Sequence, residues 1–194
     1  MKGWVESPRV RHYLGLSAIV AIALVLRFAQ LDLKPLWLDE IITALFSLGR
    51  QTGDIPLDGF YGLDRLEELL SLDSSASCPQ IARTVAAEST HPPLFFCLTH
   101  GWLRVAPWFS DSLRWQLRSL PALFGTGAIA MMYAIARVAF SPSAGLWSAA
   151  VMAVSPFAVY LSQEARHYTL PLLLASLSLW GLVRIQQDLG KSGG

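Results

Sequence analysis

Charge is scarce in this sequence. Only 15% of its 194 residues are charged, against roughly a quarter in soluble domains, while 53% are hydrophobic and the mean hydropathy is +0.43. This excludes an ordinary soluble globular domain. A net charge of +1 with no basic cluster excludes a nucleic-acid partner. Two cysteines, Cys78 and Cys97, are too few for a disulfide framework. They are read as free thiols, with a single bridge left open if their loop faces the extracytoplasmic side. CxxC, HExxH, P-loop and GxGxxG patterns are all missing.

The sequence does have long apolar runs. Residues 13–31 carry Arg27 as their only charge and are long enough to cross a hydrocarbon core of ~30 Å. Lys2, Arg9 and Arg11 precede this run, so its N-terminus is assigned to the cytoplasm. The run is too long for a signal-peptide core and no small-x-small cleavage site follows it, so a retained helix is expected. Arg27 is expected to pair with an acid or to snorkel outward. Further runs cover 116–140, 144–161 and 169–185. The segment 94–108 reaches only ~22 Å as a helix, short of a bilayer core.

Polar character concentrates between the first two runs. Residues 32–115 hold 11 of the 14 acids, so this stretch reads as an extramembrane loop. GDIPLDGFYG (53–62) is punctuated by Gly and Pro and reads as coil, whereas LDRLEELLSL (63–72) has helical apolar spacing. If 94–108 lies on the membrane surface, Arg137, Arg184 and Lys191 all fall in the cytoplasm. If it spans, all three are placed outside, against the positive-inside rule.

The expected architecture is therefore an all-α integral membrane protein. It has about four transmembrane helices and a large extracytoplasmic loop with short amphipathic helices between helices one and two. Segment by segment this gives a cytoplasmic 1–12, helices at 13–31, 116–140, 144–161 and 169–185, and outer loops 32–115 and 162–168. A cytoplasmic tail, 186–194, ends the chain, and its last five residues, GKSGG (190–194), read as flexible.

Three polar patches then share one membrane face. LWLDE places Asp39 and Glu40 just past the first run, amid apolar neighbours where unused charges would be costly. A partly buried carboxylate suits general-base work. ESTHPPLFF offers Glu88 and His91 as metal or phosphate contacts. SQEARHY offers Gln163, Glu164, Arg166 and His167, where an arginine matches phosphate geometry. The bland readings are a helix-start charge pair, a proline-initiated helix and a polar cap at headgroup level. His100 reads as structural, and the tryptophans as an interfacial belt.

Taken in order, LWLDE, HPPL about fifty residues later and SQEARHYTL after two more helices, the sequence resembles the N-terminal part of membrane glycosyltransferases of the C-type fold. These include protein O-mannosyltransferases, aminoarabinose transferases of lipid A and family 39-like enzymes. The resemblance implies a polyprenyl-phosphate-sugar donor, an acceptor glycan, lipid or protein, and chemistry on the outer face of the plasma (inner) membrane. It makes Asp39 the catalytic carboxylate with Glu40 in support, sets His91 at the donor or metal site, and lines the cavity near the phosphate with Arg166 and Glu164. A divalent metal ion is admitted as a cofactor, with Glu88 and His91 its candidate ligands. Where aminoarabinose transferases carry an acid and then Lys-Pro-Pro, this chain has Thr90 and His91. Family members run to several hundred residues with many more spans, so the chain is expected to be truncated. A non-catalytic module that binds polyprenyl lipid or a partner protein is the alternative reading.

Overall fold

A computed structural model describes residues 7–55, 59 and 61–192. Lys2 and the rest of the expected cytoplasmic 1–6, loop residues 56–58 and 60, and 193–194 lie outside the described residues. So do the side chains of Pro8, Lys191 and Ser192. The described residues are helical and contain no strand. The helices are α1 (Pro8–Phe28), α2 (Leu38–Ser47), α3 (Leu63–Leu69), α4 (Cys78–Glu88), α5 (Leu94–Leu103), α6 (Leu113–Ala139), α7 (Pro142–Val154), α8 (Pro156–Ser162) and α9 (Thr169–Ser192).

Helices α1, α6 and α9 are long and apolar enough to cross a membrane, and α7 with α8 qualifies as a fourth span when taken together. This is an all-helical membrane protein. Helix α5 has ten residues, ~15 Å of rise, which is short of a span.

Several bounds differ from those read in the sequence. Ser7 caps α1 by accepting from Val10 N, and Pro8 opens the helix, so α1 starts before residue 13. The run 144–161 is two helices bent by 64° at Ser155–Pro156. Proline has no N–H for the i−4 carbonyl, and its ring excludes the preceding turn. Ser155 turns the break into a fresh start by capping Ala158 N. Helix α9 continues past Arg184 to Ser192, so 190–192, read as flexible in the sequence, belong to the helix. Gln187 helps to hold it by donating to the carbonyl of Val138.

The chain forms two compact units. The first comprises 1–29, 121–163 and 168–194. Its core is Ala23, Ile129, Tyr133, Ala149 and Ala153, and the three alanines let the helices approach closely. At Gly145 an added Cβ would sit 2.9 Å from the carbonyl oxygen of Tyr133. Arg27 is fully buried here. Among the described residues it pairs with no acid, and its burial shows that it does not snorkel outward. Its guanidinium donates to Met152 O at 3.2 Å and to Ala153 O at 3.0 Å. Met152 is four residues before Pro156, so its carbonyl is the one the proline cannot serve. Arg27 fills the gap left by the helix break.

The second unit comprises 30–120 and 164–167. Its cores are Ala44, Leu48, Leu103, Leu117 and Ala165, and then Phe46, Ile81, Val85 and Phe96. Cys78 opens α4 and Cys97 lies in the first turn of α5, with Cα atoms 5.1 Å apart and the sulfurs bonded. They are not free thiols: the packing of α4 on α5 brings them within disulfide reach. His100 is buried, and its Nδ1 bonds Ser47 O at 2.9 Å.

Candidate active site

The site grows from the start of α2. Trp37 precedes the helix in extended conformation, and its N–H donates to Glu40 Oε2 at 3.3 Å. Asp39 and Glu40 occupy the first turn, where the helix dipole favours negative charge. Successive helical residues project about 100° apart, so the two acids face different surroundings.

Glu40 faces inward and is fully buried. Arg118 of α6 grips it with two hydrogen bonds, Nε to Oε1 at 2.8 Å and Nη2 to Oε2 at 2.6 Å. Arg118 is itself buried, and it also donates to the carbonyls of Leu31 (2.7 Å), Lys34 (2.9 Å) and Pro35 (3.1 Å). Glu40 Oε1 accepts a further bond from Ala165 N at 2.7 Å. Each Glu40 oxygen therefore takes two protein donors, and neither opens onto a cavity.

The bond to Ala165 fastens residues 164–167 against α2. Glu164 is buried, and its carboxylate accepts from Trp37 Nε1. Arg166, also buried, donates through Nη1 to Asp39 O at 3.1 Å and to Thr43 Oγ1 at 3.2 Å. Its Nη2 lies 3.6 Å from Asp39 Oδ2, an ion pair longer than a hydrogen bond, and 3.4 Å from His91 Nε2. His91 Nδ1 is 2.8 Å from Ser89 Oγ. The rings of His91 and His167 meet edge to face at 4.7 Å. Burial, and then the neighbouring His91 and Arg166, hold His167 below the ordinary imidazole range.

Asp39, Thr43, Glu88, His91 and Arg166 line one cavity of about 630 Å³, with Phe46 and Phe96 among its apolar walls. The Asp39 side chain is 38% exposed, against 0% for Glu40. The structure thus gathers Asp39, Glu88, His91 and Arg166 on the cavity, with His167 against His91. It sets Glu40 and Glu164 behind the wall. Gln163 belongs to the first unit, where its amide donates to Leu26 O and Ala29 O. Arg118, Thr43 and Ser89 were missed in the sequence. Arg118 left one signal, a charge near the start of an apolar run.

The donor set does not suit a metal ion. Among the described residues no group of three or more His, Cys, Asp or Glu is placed to hold one. Glu88 Oε2 already accepts from Thr52 N at 2.9 Å and Thr52 Oγ1 at 2.6 Å, and a guanidinium stands beside His91 Nε2.

No curated protein and no solved structure matches the chain. The sequence pattern of one family, dolichyl-phosphate-mannose-protein mannosyltransferase, matches residues 90–191. The match spans more than half of the chain and takes in His91, Arg118, Glu164, Arg166 and His167, while Asp39 and Glu40 precede it. The chain belongs to the dolichyl-phosphate-mannose-protein mannosyltransferase family, membrane glycosyltransferases of the mannosyltransferase kind.

Proposed function

We propose that the chain works in sugar transfer from a polyprenyl-phosphate donor to an acceptor hydroxyl on the extracytoplasmic face, with Asp39 as the base. The observation that carries this is a half-open carboxylate and a buried guanidinium on one cavity wall, Asp39 Oδ2 to Arg166 Nη2 at 3.6 Å. The carboxylate takes the acceptor's proton as its oxygen attacks the anomeric carbon, and the C–O bond to the phosphate breaks. The departing polyprenyl phosphate carries the electron pair and gathers negative charge. Arg166 offers fixed donors to that charge, already oriented by Thr43 and the Asp39 carbonyl. Glu40 acts through Ala165, as the anchor of the loop that carries Arg166.

Topology and redox chemistry support the outer face. Arg9 and Arg11 at the start of α1 and Arg137 in the last turn of α6 favour the cytoplasm for those ends. The segment between α1 and α6 then lies on the other side, where a Cys78–Cys97 bridge persists. Residues 164–167 form one unit with that segment, in keeping with α7 and α8 making one span together.

The test is transfer from a radiolabelled polyprenyl-phosphate sugar in membranes carrying the chain or its Asp39→Asn variant. Asparagine keeps the backbone carbonyl that Arg166 uses, so membrane insertion and fold should be unchanged. Transfer should fall by about 10²–10⁴-fold, the usual worth of a general base. Transfer within a few-fold of wild type would remove Asp39 from this role. Donor binding without any transfer by the wild-type chain would favour a lipid-binding module.

A further inference from the structure

The first unit has a polar cavity that the transfer chemistry does not use. It measures about 530 Å³ and is lined by Arg9, His12 and Tyr13 of α1, Arg137 of α6 and Pro142 of α7. None of these residues is acidic. Tyr133 organises the cations: its hydroxyl accepts from Arg137 Nη1 at 2.8 Å and lies 2.7 Å from His12 Nε2. The guanidinium also sits over the Tyr133 ring, 5.7 Å from its centroid. Arg137 has five N–H donors, so its contacts with Tyr133 and Tyr13 leave others for a ligand.

A second cavity of about 270 Å³ follows the same two helices, α1 and α7, and is lined by Ile19, Ser143, Leu146, Trp147 and Ala150. Ile19 lies seven residues past His12, ~10 Å along α1. Ser143 directly follows Pro142. Trp147 is 73% exposed. A cationic recess and an apolar groove therefore lie along the same two helices, about two turns apart on α1. Inorganic phosphate would satisfy the recess and leave the groove bare. An anionic glycerophospholipid satisfies both, and basic pockets between spanning helices suit such headgroups.

We infer that the α1–α6–α7 recess binds an anionic glycerophospholipid, its phosphate on Arg9 and Arg137 and an acyl chain along Leu146 and Trp147. Arg9 and Arg137 are both exposed, but Arg137 is held by Tyr133, so Arg9 is the more labile half of the clamp.

The experiment needs no transferase activity. The full chain in neutral detergent is titrated with phosphatidylglycerol, with phosphatidylcholine of the same acyl chains, and with inorganic phosphate, and both binding and the thermal midpoint are read. Phosphatidylglycerol should bind and raise the midpoint most, while phosphatidylcholine, with no net negative charge, and phosphate, with no acyl chain, should bind more weakly and shift it less. Arg9→Gln should weaken phosphatidylglycerol binding about five-fold, the effect of one basic residue near an anionic headgroup. Its midpoint in phosphatidylcholine should match wild type, which shows that the fold is intact. Arg11→Gln removes an exposed charge outside the cavity and should change little. Equal binding of phosphatidylcholine would overturn the inference, and so would an equal shift by inorganic phosphate. Equal weakening by Arg9→Gln and Arg11→Gln would reduce the recess to general surface attraction and overturn it as well.

Discussion

Replacing Glu40 by Gln tests the anchor beneath the cavity. The side chain keeps its size and one acceptor oxygen but loses its charge. Glu40 takes four donors in a fully buried position: two from Arg118, one from Ala165 and one from Trp37. The amide forces one oxygen position to become a donor, so two of these four contacts become donor against donor. One of the two is a charged bond to Arg118, a class worth about 1.5–3 kcal/mol. Arg118, itself buried, is left without a counter-ion. Breaking a buried pair from one side costs about 3–5 kcal/mol, and that is the loss expected here. The carbonyls of Leu31, Lys34 and Pro35 cushion Arg118, so the value should lie toward the lower end. Arg118→Met should cost a similar amount, because it strands those carbonyls together with the Glu40 carboxylate. The Glu40→Gln/Arg118→Met double variant should be less destabilised than the sum of the singles by about 2 kcal/mol or more, since each single already forfeits the shared pair. Denaturant unfolding in mixed micelles, followed by tryptophan fluorescence, measures all three. A Glu40→Gln loss below about 1 kcal/mol would put the pair in the class of exposed salt bridges and refute the anchor. Additive losses would refute the coupling.

The other predictions concern single features. Arg27→Met leaves the carbonyls of Met152 and Ala153 without their donor at the α7–α8 break and should cost about 1–3 kcal/mol, read as a lower thermal midpoint. Cys78→Ser opens a bridge between residues 19 apart and should cost about 3 kcal/mol; dithiothreitol should lower the wild-type urea midpoint and leave the variant's unchanged. His167 is held below its ordinary 6.5 in the fold, so as pH falls through 6.5 the unfolded chain takes up a proton before the folded one does. Stability should therefore decline below pH 6.5, and His167→Gln should flatten that slope in pH-dependent unfolding.

Adjacent Asp39 and Glu40 show where sequence reading stops. Hydropathy marks the spanning helices because apolar length is a local property, and two acids in an apolar stretch mark a site because unused charge would be costly there. Assigning the two acids different duties is not local. It depends on Arg118, 78 positions away, and on Ala165, 125 positions away, both reaching Glu40 and leaving Asp39 open to the cavity. The same limit applies to Arg27. Its sequence shows a charge in an apolar run, but its acceptors belong to a helix break more than a hundred residues on. The cysteines follow suit, since neither count nor spacing decides a bridge until α4 packs on α5. Proline 156 was visible and its effect on α8 is local, but the need it creates is met by a distant guanidinium. In each case a charged or reactive group that looks misplaced along the chain serves a need created elsewhere in it. Two charges therefore stand side by side in LWLDE because one fixes the loop that carries Arg166 and the other faces the cavity that Arg166 lines.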